Sequence, residues 1–427
     1  MRLLYTLLAY LAAPCVFANV LWRSVRDPAY RSGWGERFGF GVELPAPGCI
    51  WVHAVSMGEV AAASSLVRAI RANHPQWPVV LTTATPTGAS RARELFSGAD
   101  VDVRYGPYDL PGAVRRFFSN VRPVAAIFME TELWPTMYRE CARRGVPRII
   151  ANARISTRSW PRYRRLRSLT QPMLHAGVLV AAQSVEDAER FKYLGAAESN
   201  VQVSGNLKFD VSIDPRVRAA GTELRHRYLR SRTVWAAGST HAGEEELVLD
   251  AHALVRASVP DALLVLAPRH PNRFDAVASM LARRAVRFIR RSEGGLPQLD
   301  TEVVLLDTVG ELLTFYAAAN AAFVGGSLVR IGGHNLLEPA ALGIPFATGP
   351  FNANSADVAQ LMFDQHAAVC TPDAQSLASA ISAWLLEPGE ASRVGAIARN
   401  VVAANRGALQ RIMEMIDSVL PSTGADP

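Results

Sequence analysis

Between residues 49 and 370 the chain alternates short, β-branched apolar runs with amphipathic helical stretches, a rhythm that restricts it to parallel sheets covered by helices. The runs at 50–54, 79–83, 124–129, 148–152 and 178–183 read as buried strands, and helical patterns at 59–73 and 132–144 follow two of them. A second series lies at 233–238, 262–267, 303–307, 321–325, 345–348 and 367–370. Two series make two sheets, and 427 residues exceed what one hydrophobic core ordinarily supports. With 49% hydrophobic and 19% charged residues, disorder is excluded as the dominant state. Asp214-Pro215 interrupts the pattern within 210–218, so the boundary is expected between a domain at 23–212 and one at 213–427.

Residues 1–22 read as a membrane anchor: 3–22 is a run of 20 residues without a charged side chain, long enough to span a bilayer. Arg23, Arg26, Arg31 and Arg37 follow the run and Arg2 alone precedes it, an asymmetry that predicts a cytoplasmic location for everything downstream. Pro14 predicts a kink. The competing reading is a cleaved signal peptide, cut near Val16-Phe17-Ala18 or Ala12-Ala13-Pro14-Cys15; the basic residues beyond the run oppose export. Cys15, Cys49, Cys141 and Cys370 are scattered without a CxxC pair, which suggests neither a disulfide framework nor a zinc site. A net charge of +7 favours anionic partners such as phosphorylated lipids, nucleotides or membrane surfaces. No helix-turn-helix, RNP or zinc-finger pattern accompanies that charge, so nucleic acid is not an expected partner.

In open α/β sheets ligands sit beyond the carboxyl ends of the strands, which directs attention to the loops there. Glu59 opens a helix behind Gly58 and has two readings, an acid complementing the helix dipole or a general base. Glu130 and Glu132 follow the run 124–129; Glu130 is expected to face a cleft, and Glu132 either joins it or begins the next helix. Gly332-Gly333-His334 feeds Asn335-Leu336-Leu337-Glu338, where a first-turn carboxylate suits a ribose diol and free helix-start amides suit a phosphate. Arg269, stiffened between Pro268 and Pro271, also suits a phosphate. Lys208 is one of only two lysines in an arginine-rich chain, which favours a site needing a compact ammonium. His53, His241, His270 and His334 lack metal-ligand spacing and read as hydrogen-bonding histidines. Three patterns are set aside: Gly33, Gly35 and Gly39 miss the dinucleotide fingerprint, Asp100-Val101-Asp102 reads as a solvated turn leading into a strand, and no Walker A loop exists.

Together the motifs resemble the bacterial 3-deoxy-D-manno-oct-2-ulosonic acid (Kdo) transferases, glycosyltransferase family 30. The likeness runs through Trp34-Gly35-Glu36-Arg37, His53-Ala54-Val55-Ser56-Met57-Gly58-Glu59, Met129-Glu130-Thr131-Glu132-Leu133-Trp134-Pro135, Ala151-Asn152-Ala153-Arg154, Leu207-Lys208-Phe209-Asp210, Pro268-Arg269-His270-Pro271 and Gly332-Gly333-His334-Asn335. It implies an α/β GT-B fold, two Rossmann-like domains facing a central cleft, behind an N-terminal helix in the inner membrane. The implied donor is CMP-Kdo and the implied acceptor a tetra-acylated lipid A precursor; fixed cations such as Arg269 and Lys208 can neutralise the donor's single phosphate, so no metal and no cofactor are expected. By the same resemblance Glu59 matches the catalytic base, and Glu130 and Lys208 match transition-state stabilisers. CMP contacts map to Pro268, Arg269, Val309, Gly310, Glu311, Asn335, Leu336, Leu337 and Glu338. The loop Phe351-Asn352-Ala353-Asn354-Ser355 departs from the family, keeping only Asn354 of its usual His and Asn-Phe pattern. A GT-B transferase using another nucleotide-sugar, a silent membrane-bound scaffold and a Rossmann oxidoreductase are the alternatives.

The segment 154–167 carries six arginines among Trp160, Tyr163 and aliphatic residues. Arg154, Arg158, Arg162, Arg164 and Arg165 are expected at an anionic membrane surface and the acceptor, with the aromatics settling at the headgroup boundary.

Overall fold

The computed structural model describes residues 2–41, 44, 48–98, 100–175, 177–211, 213–230 and 232–421. Met1, Ser212 at the expected domain boundary, and 422–427 lie outside the described residues. The chain divides into two units, one formed by 1–210 with 406–427 and the other by 211–405.

The first unit is built on seven parallel strands: β1 (Cys49–His53), β2 (Val79–Thr83), β3 (Val101–Tyr105), β4 (Pro123–Met129), β5 (Arg148–Ala153), β6 (Val178–Ala182) and β7 (Val201–Val203). Their order, β3-β2-β1-β4-β5-β6-β7, reverses direction at β1 and β4, so a crevice opens beyond the carboxyl ends of those two strands. Both faces of the sheet are covered, which is why its central strands are mostly apolar. Trp51 of β1 is fully buried and contacts the rings of Phe117, Phe118 and Phe128 at 4.9, 5.5 and 5.2 Å.

Two expectations are corrected here. Asp102 lies within β3 rather than in a turn, paired with Arg104; β3 is a sheet edge, where charged side chains block further strand addition. The expected domain 213–427 loses its tail to the first unit, because the helix Ala408–Asp417 buries Ile412, Met413, Met415 and Ile416 in the first unit's core. The Asp210 carboxylate fastens that helix by accepting from the Gly407 and Leu409 amides at 2.7 and 2.6 Å.

The N-terminal helix spans Arg2–Arg26, with Pro14 inside it. Its segment Tyr5–Arg26 is, among the described residues, the one helix long and apolar enough to cross a membrane, and Leu7, Leu8, Leu11, Leu21 and Trp22 on it are exposed. Tyr5 donates from its hydroxyl to Asp109 at 2.7 Å, and Asp109 in turn accepts from the Thr136 and Met137 amides, so the apolar helix is tied to the cap of Pro135–Arg144.

The second unit carries β8 (Val234–Thr240), β9 (Leu263–Pro268), β10 (Phe288–Arg290), β11 (Val303–Leu305), β12 (Ala321–Val324), β13 (Phe346–Thr348) and β14 (Val369–Cys370). They form one parallel sheet in the order β10-β11-β9-β8-β12-β13-β14, with β8 and β9 near its centre. Two strand-end loops of this unit, after β8 and after β12, therefore lie side by side.

Candidate active site

In the first unit, the crevice beyond β1 and β4 gathers three carboxylates. Ser56 caps the helix Met57–Asn73, accepting from the Glu59 amide at 3.3 Å. The Glu59 carboxylate closes back on the same turn, accepting from Ser56 Oγ at 2.8 Å and from the Val55 amide at 2.9 Å. Glu59 thus serves the start of its own helix through Ser56 and Val55, so the helix-start reading of Glu59 holds. It does not exhaust the group, since each oxygen keeps a lone pair beyond the one engaged. Burial, and less strongly the charge of Glu130, raise the Glu59 pKa against the opposing hydrogen bonds.

Glu130 sits at the end of β4 with φ +53, a left-handed conformation that costs a non-glycine residue about 1–2 kcal/mol. Glu132 does not begin a helix, which corrects one of its two readings. Pro135 takes the first helical position behind Trp134, since a proline lacks the amide that this position leaves unused anyway. Glu132 instead accepts from Trp134 Nε1 at 2.7 Å, and its pKa is pushed up to about 7, first by burial and then by the charge of Glu59, with Glu130 adding to it. Sequence reasoning finds Glu59 and Glu130; Glu132 it leaves between two readings, although the Pro135 signal separates them.

Lys208 lies on a single 3-10 turn, Leu207–Phe209, whose flanking apolar side chains are buried. Asn152 of β5 holds the turn by accepting from the Leu207 amide at 3.0 Å, and Asn206 accepts from the Lys208 amide at 3.0 Å. The turn packs against the helix Met57–Asn73, in which Glu59 lies in the first turn. His53 is a core histidine: it is buried in β1, 2.8 Å from Thr82 through Nδ1, and burial lowers its pKa to about 4.

Arg158, Arg162, Arg164 and Arg165 are exposed and form no ion pair among the described residues, while Arg154 at the end of β5 is half-buried. The aromatics do not lie among them at the surface, contrary to expectation. Trp160 and Tyr163 turn inward against the core, and Trp160 meets Tyr193 edge-on at 5.3 Å, because apolar ring area gains more from burial than from exposure.

The second unit is organised by a residue that the sequence does not single out. Glu244 is fully buried and its carboxylate accepts from four backbone amides, those of His241, Gly326, Ser327 and Leu328, at 3.1, 2.7, 3.0 and 2.9 Å. It thereby locks the loop after β8 to the loop after β12. Arg269, exposed directly after Pro268 at the end of β9, donates its amide to Thr240 O at 2.9 Å, and its charge is felt by Glu338. Glu338 is half-buried with a raised pKa, chiefly from burial, and accepts from Asn335 Nδ2 at 3.1 Å.

The expected phosphate seat is altered in detail. The Leu337 amide already donates to Asn335 Oδ1 at 3.1 Å, and the Leu336 and Leu337 side chains are buried in the core, so these two residues offer a ligand backbone only. Glu311 is held by Arg291 at 2.8 Å and accepts from Thr308, which keeps its pKa low, whereas neighbouring Val309 is 81% exposed beside Gly310 at φ +91. The divergent loop 351–355 buttresses the glycines of the seat. Asn354 Nδ2 donates to Gly333 O at 3.2 Å, and the loop wraps Gly332 and Gly333 where a Cβ would clash with Asn354 and Asn352.

The residues 32–211 match the family model described as 3-Deoxy-D-manno-octulosonic-acid transferase (kdotransferase). The 3-deoxy-D-manno-octulosonic acid transferase of Haemophilus influenzae is 38% identical over 422 residues, covering 98% of this chain and 99% of that protein. The chain belongs to this family. The Bordetella pertussis protein of the same name is 36% identical over 438 residues, covering 98% of this chain and 99% of its own length. A crystal structure of Anabaena HepE in complex with UDP, 15% identical, covers 87% of this chain and 100% of its own, with a TM-score of 0.54, which bears on the fold alone. The Kdo transferase chain is thus a glycosyltransferase of GT-B fold, with one parallel sheet in each α/β unit.

Proposed function

We propose that this Kdo transferase moves Kdo from CMP-Kdo to a hydroxyl of a lipid A precursor by a single inverting displacement, with Glu59 as general base. The observation that supports it best is the set of coupled carboxylates at the ends of β1 and β4, where burial, and less strongly the charge of Glu130, raise the Glu59 pKa above the ordinary carboxylate value. A raised pKa makes the carboxylate a stronger base for the acceptor's hydroxyl proton. The freed oxygen attacks the ketosidic carbon as its bond to the CMP phosphate breaks, and CMP departs with the bonding electrons. Glu130 stabilises the positive charge that develops on the sugar, and Lys208 the charge on the leaving phosphate, in a step needing no metal. Pro268, Arg269, Val309, Gly310, Glu311, Asn335, Leu336, Leu337 and Glu338 are the residues we assign to CMP, with Arg269 on the phosphate and Glu338 on the ribose.

A lipid acceptor fits two features of the first unit. Arg158, Arg162, Arg164 and Arg165 are exposed cations available to an anionic inner-membrane surface on the cytoplasmic side. A cavity of about 330 Å³ also lies beneath the apolar N-terminal helix, with Tyr5, Arg139, Arg143, Leu169, Pro172 and Met173 in its wall, a lining suited to an amphiphile. The deciding experiment is Glu59→Gln assayed with CMP-Kdo and lipid A precursor. Turnover should fall about 10²–10⁴-fold with CMP affinity retained; wild-type turnover would remove Glu59 from the mechanism.

A further inference from the structure

At the strand ends of the second unit three histidines converge that the CMP assignment does not use. His241 follows β8 and His334 lies in the loop before Leu337–Leu342; their Nε2 atoms are 2.7 Å apart and their rings are parallel within 6°. His270, after β9, meets His241 edge-on at 5.3 Å. The pair is built into the unit. One oxygen of Glu244 accepts from both the His241 and Gly326 amides, and the His334 ring lies over Gly326, where a Cβ would come within 2.7 Å of it.

Two imidazole nitrogens at this separation share one proton, so the neutral pair has one Nε2–H donating to one Nε2 lone pair. Neither Nδ1 has a hydrogen-bond partner among the described residues, which leaves one N–H and one lone pair for a ligand. Adding a proton converts that outward lone pair into a second donor without disturbing the shared one.

We propose that His241 and His334, flanked by His270 and Arg269, form a proton-sharing anion receptor that takes up one proton as the donor's phosphate binds. The inference rests on the CMP reading above. The proton comes from solvent, and no covalent bond changes. The surrounding charges favour such uptake only when an anion arrives. Burial first, then the charges of Arg269 and His270, and for His241 that of Arg273 as well, lower the pKa of both imidazoles, His334 to about 4. The nearby acids do not counter them: Glu244 is occupied by four amides, Glu245 is paired with Arg273 at 3.0 Å, and Glu338 is engaged by Asn335. The single negative charge of the donor's phosphodiester, or the fuller charge of the CMP monoester, would supply the missing countercharge.

The test is a histidine NMR titration of the full-length protein, free, with CMP and with inorganic phosphate, alongside CMP affinity across pH for wild type and His334→Gln. The pair's midpoint should rise by at least one pH unit with CMP. CMP affinity should weaken about tenfold per pH unit between the free and bound midpoints, relative to His334→Gln, as one linked proton requires. Because the midpoints are read on unaltered protein, a variant that fails to fold does not decide the question. If CMP binds and the midpoint stays put, the receptor is refuted and the nucleotide reading survives. If CMP does not bind but inorganic phosphate moves the midpoint, the nucleotide reading falls and the receptor stands. If neither anion moves it, the receptor is refuted.

Discussion

Glu132 should make the first unit less stable as pH rises, and replacing it with glutamine should remove that penalty. Its carboxyl holds a proton to about pH 7 in the folded protein against an ordinary value of 4.5. Between those values the folded state binds more protons than the unfolded chain, so stability declines through the window and the deficit is complete above about pH 7. At about 1.4 kcal/mol per pH unit the deficit reaches about 3 kcal/mol, shared with Glu59 and Glu130 through their mutual repulsion. The glutamine side chain would still accept from Trp134 Nε1 but would carry no charge at any pH. The assay is hydrogen exchange of the β1 and β4 amides, which reports opening of the first unit alone. Glu132→Gln should match wild type near pH 4.5 and exceed its protection by about 2–3 kcal/mol at pH 8, the spread reflecting the shared repulsion. Equal differences at the two pH values would refute the electrostatic origin of the perturbation.

Three further outcomes are expected. Arg269→Ala should weaken CMP binding about 10–100-fold by calorimetry, the value of charge-assisted bonds to a phosphate, without lowering the thermal stability of this exposed loop. Glu244→Gln should destabilise the second unit by about 3–5 kcal/mol in thermal unfolding, because the amide group faces backbone N–H donors with N–H groups of its own. Changing Arg162, Arg164 and Arg165 together to Gln in a chain lacking residues 1–22 should weaken binding to anionic liposomes by about 1 kcal/mol per arginine at low salt and raise the acceptor KM, leaving CMP affinity unchanged.

Most strands are legible because central parallel strands are buried on both faces and therefore largely apolar, as β4 and β9 are throughout and β1 and β8 are over their first residues. The missed strands lie at edges. β3 is hidden by Asp102 and Arg104, and β7 and β10 are three residues each, with partly exposed positions and little periodicity to detect. The return of Ala408–Asp417 to the first unit depends on Asp210, some two hundred positions earlier, and no local pattern carries such a contact. At the sites, strand-end location suffices to nominate Glu59, Glu130 and Arg269, and the rarity of lysine nominates Lys208. It cannot rank the acids, since rank depends on what each carboxylate touches.

That difference separates the two units' acids. Glu244 stands first in Glu244-Glu245-Glu246, a run that reads as ordinary helix-start charge, yet it is fully buried and accepts from four backbone amides. Four amides replace the water it lost, and a carboxylate with that many donors keeps no accepting position for a ligand. Glu59 and Glu132 are less buried and less compensated: the hydrogen bonds to Glu59 come from its own helix start and do not offset its burial, and Glu132 has one donor, with the charge of Glu59 nearby. The folded first unit tolerates this repulsion, together with a left-handed Glu130, although neutral residues at these positions would remove it. Stability therefore does not explain the cluster. Compensation, rather than burial or position at a strand end, distinguishes the acid that holds loops together from the acids left free to do chemistry.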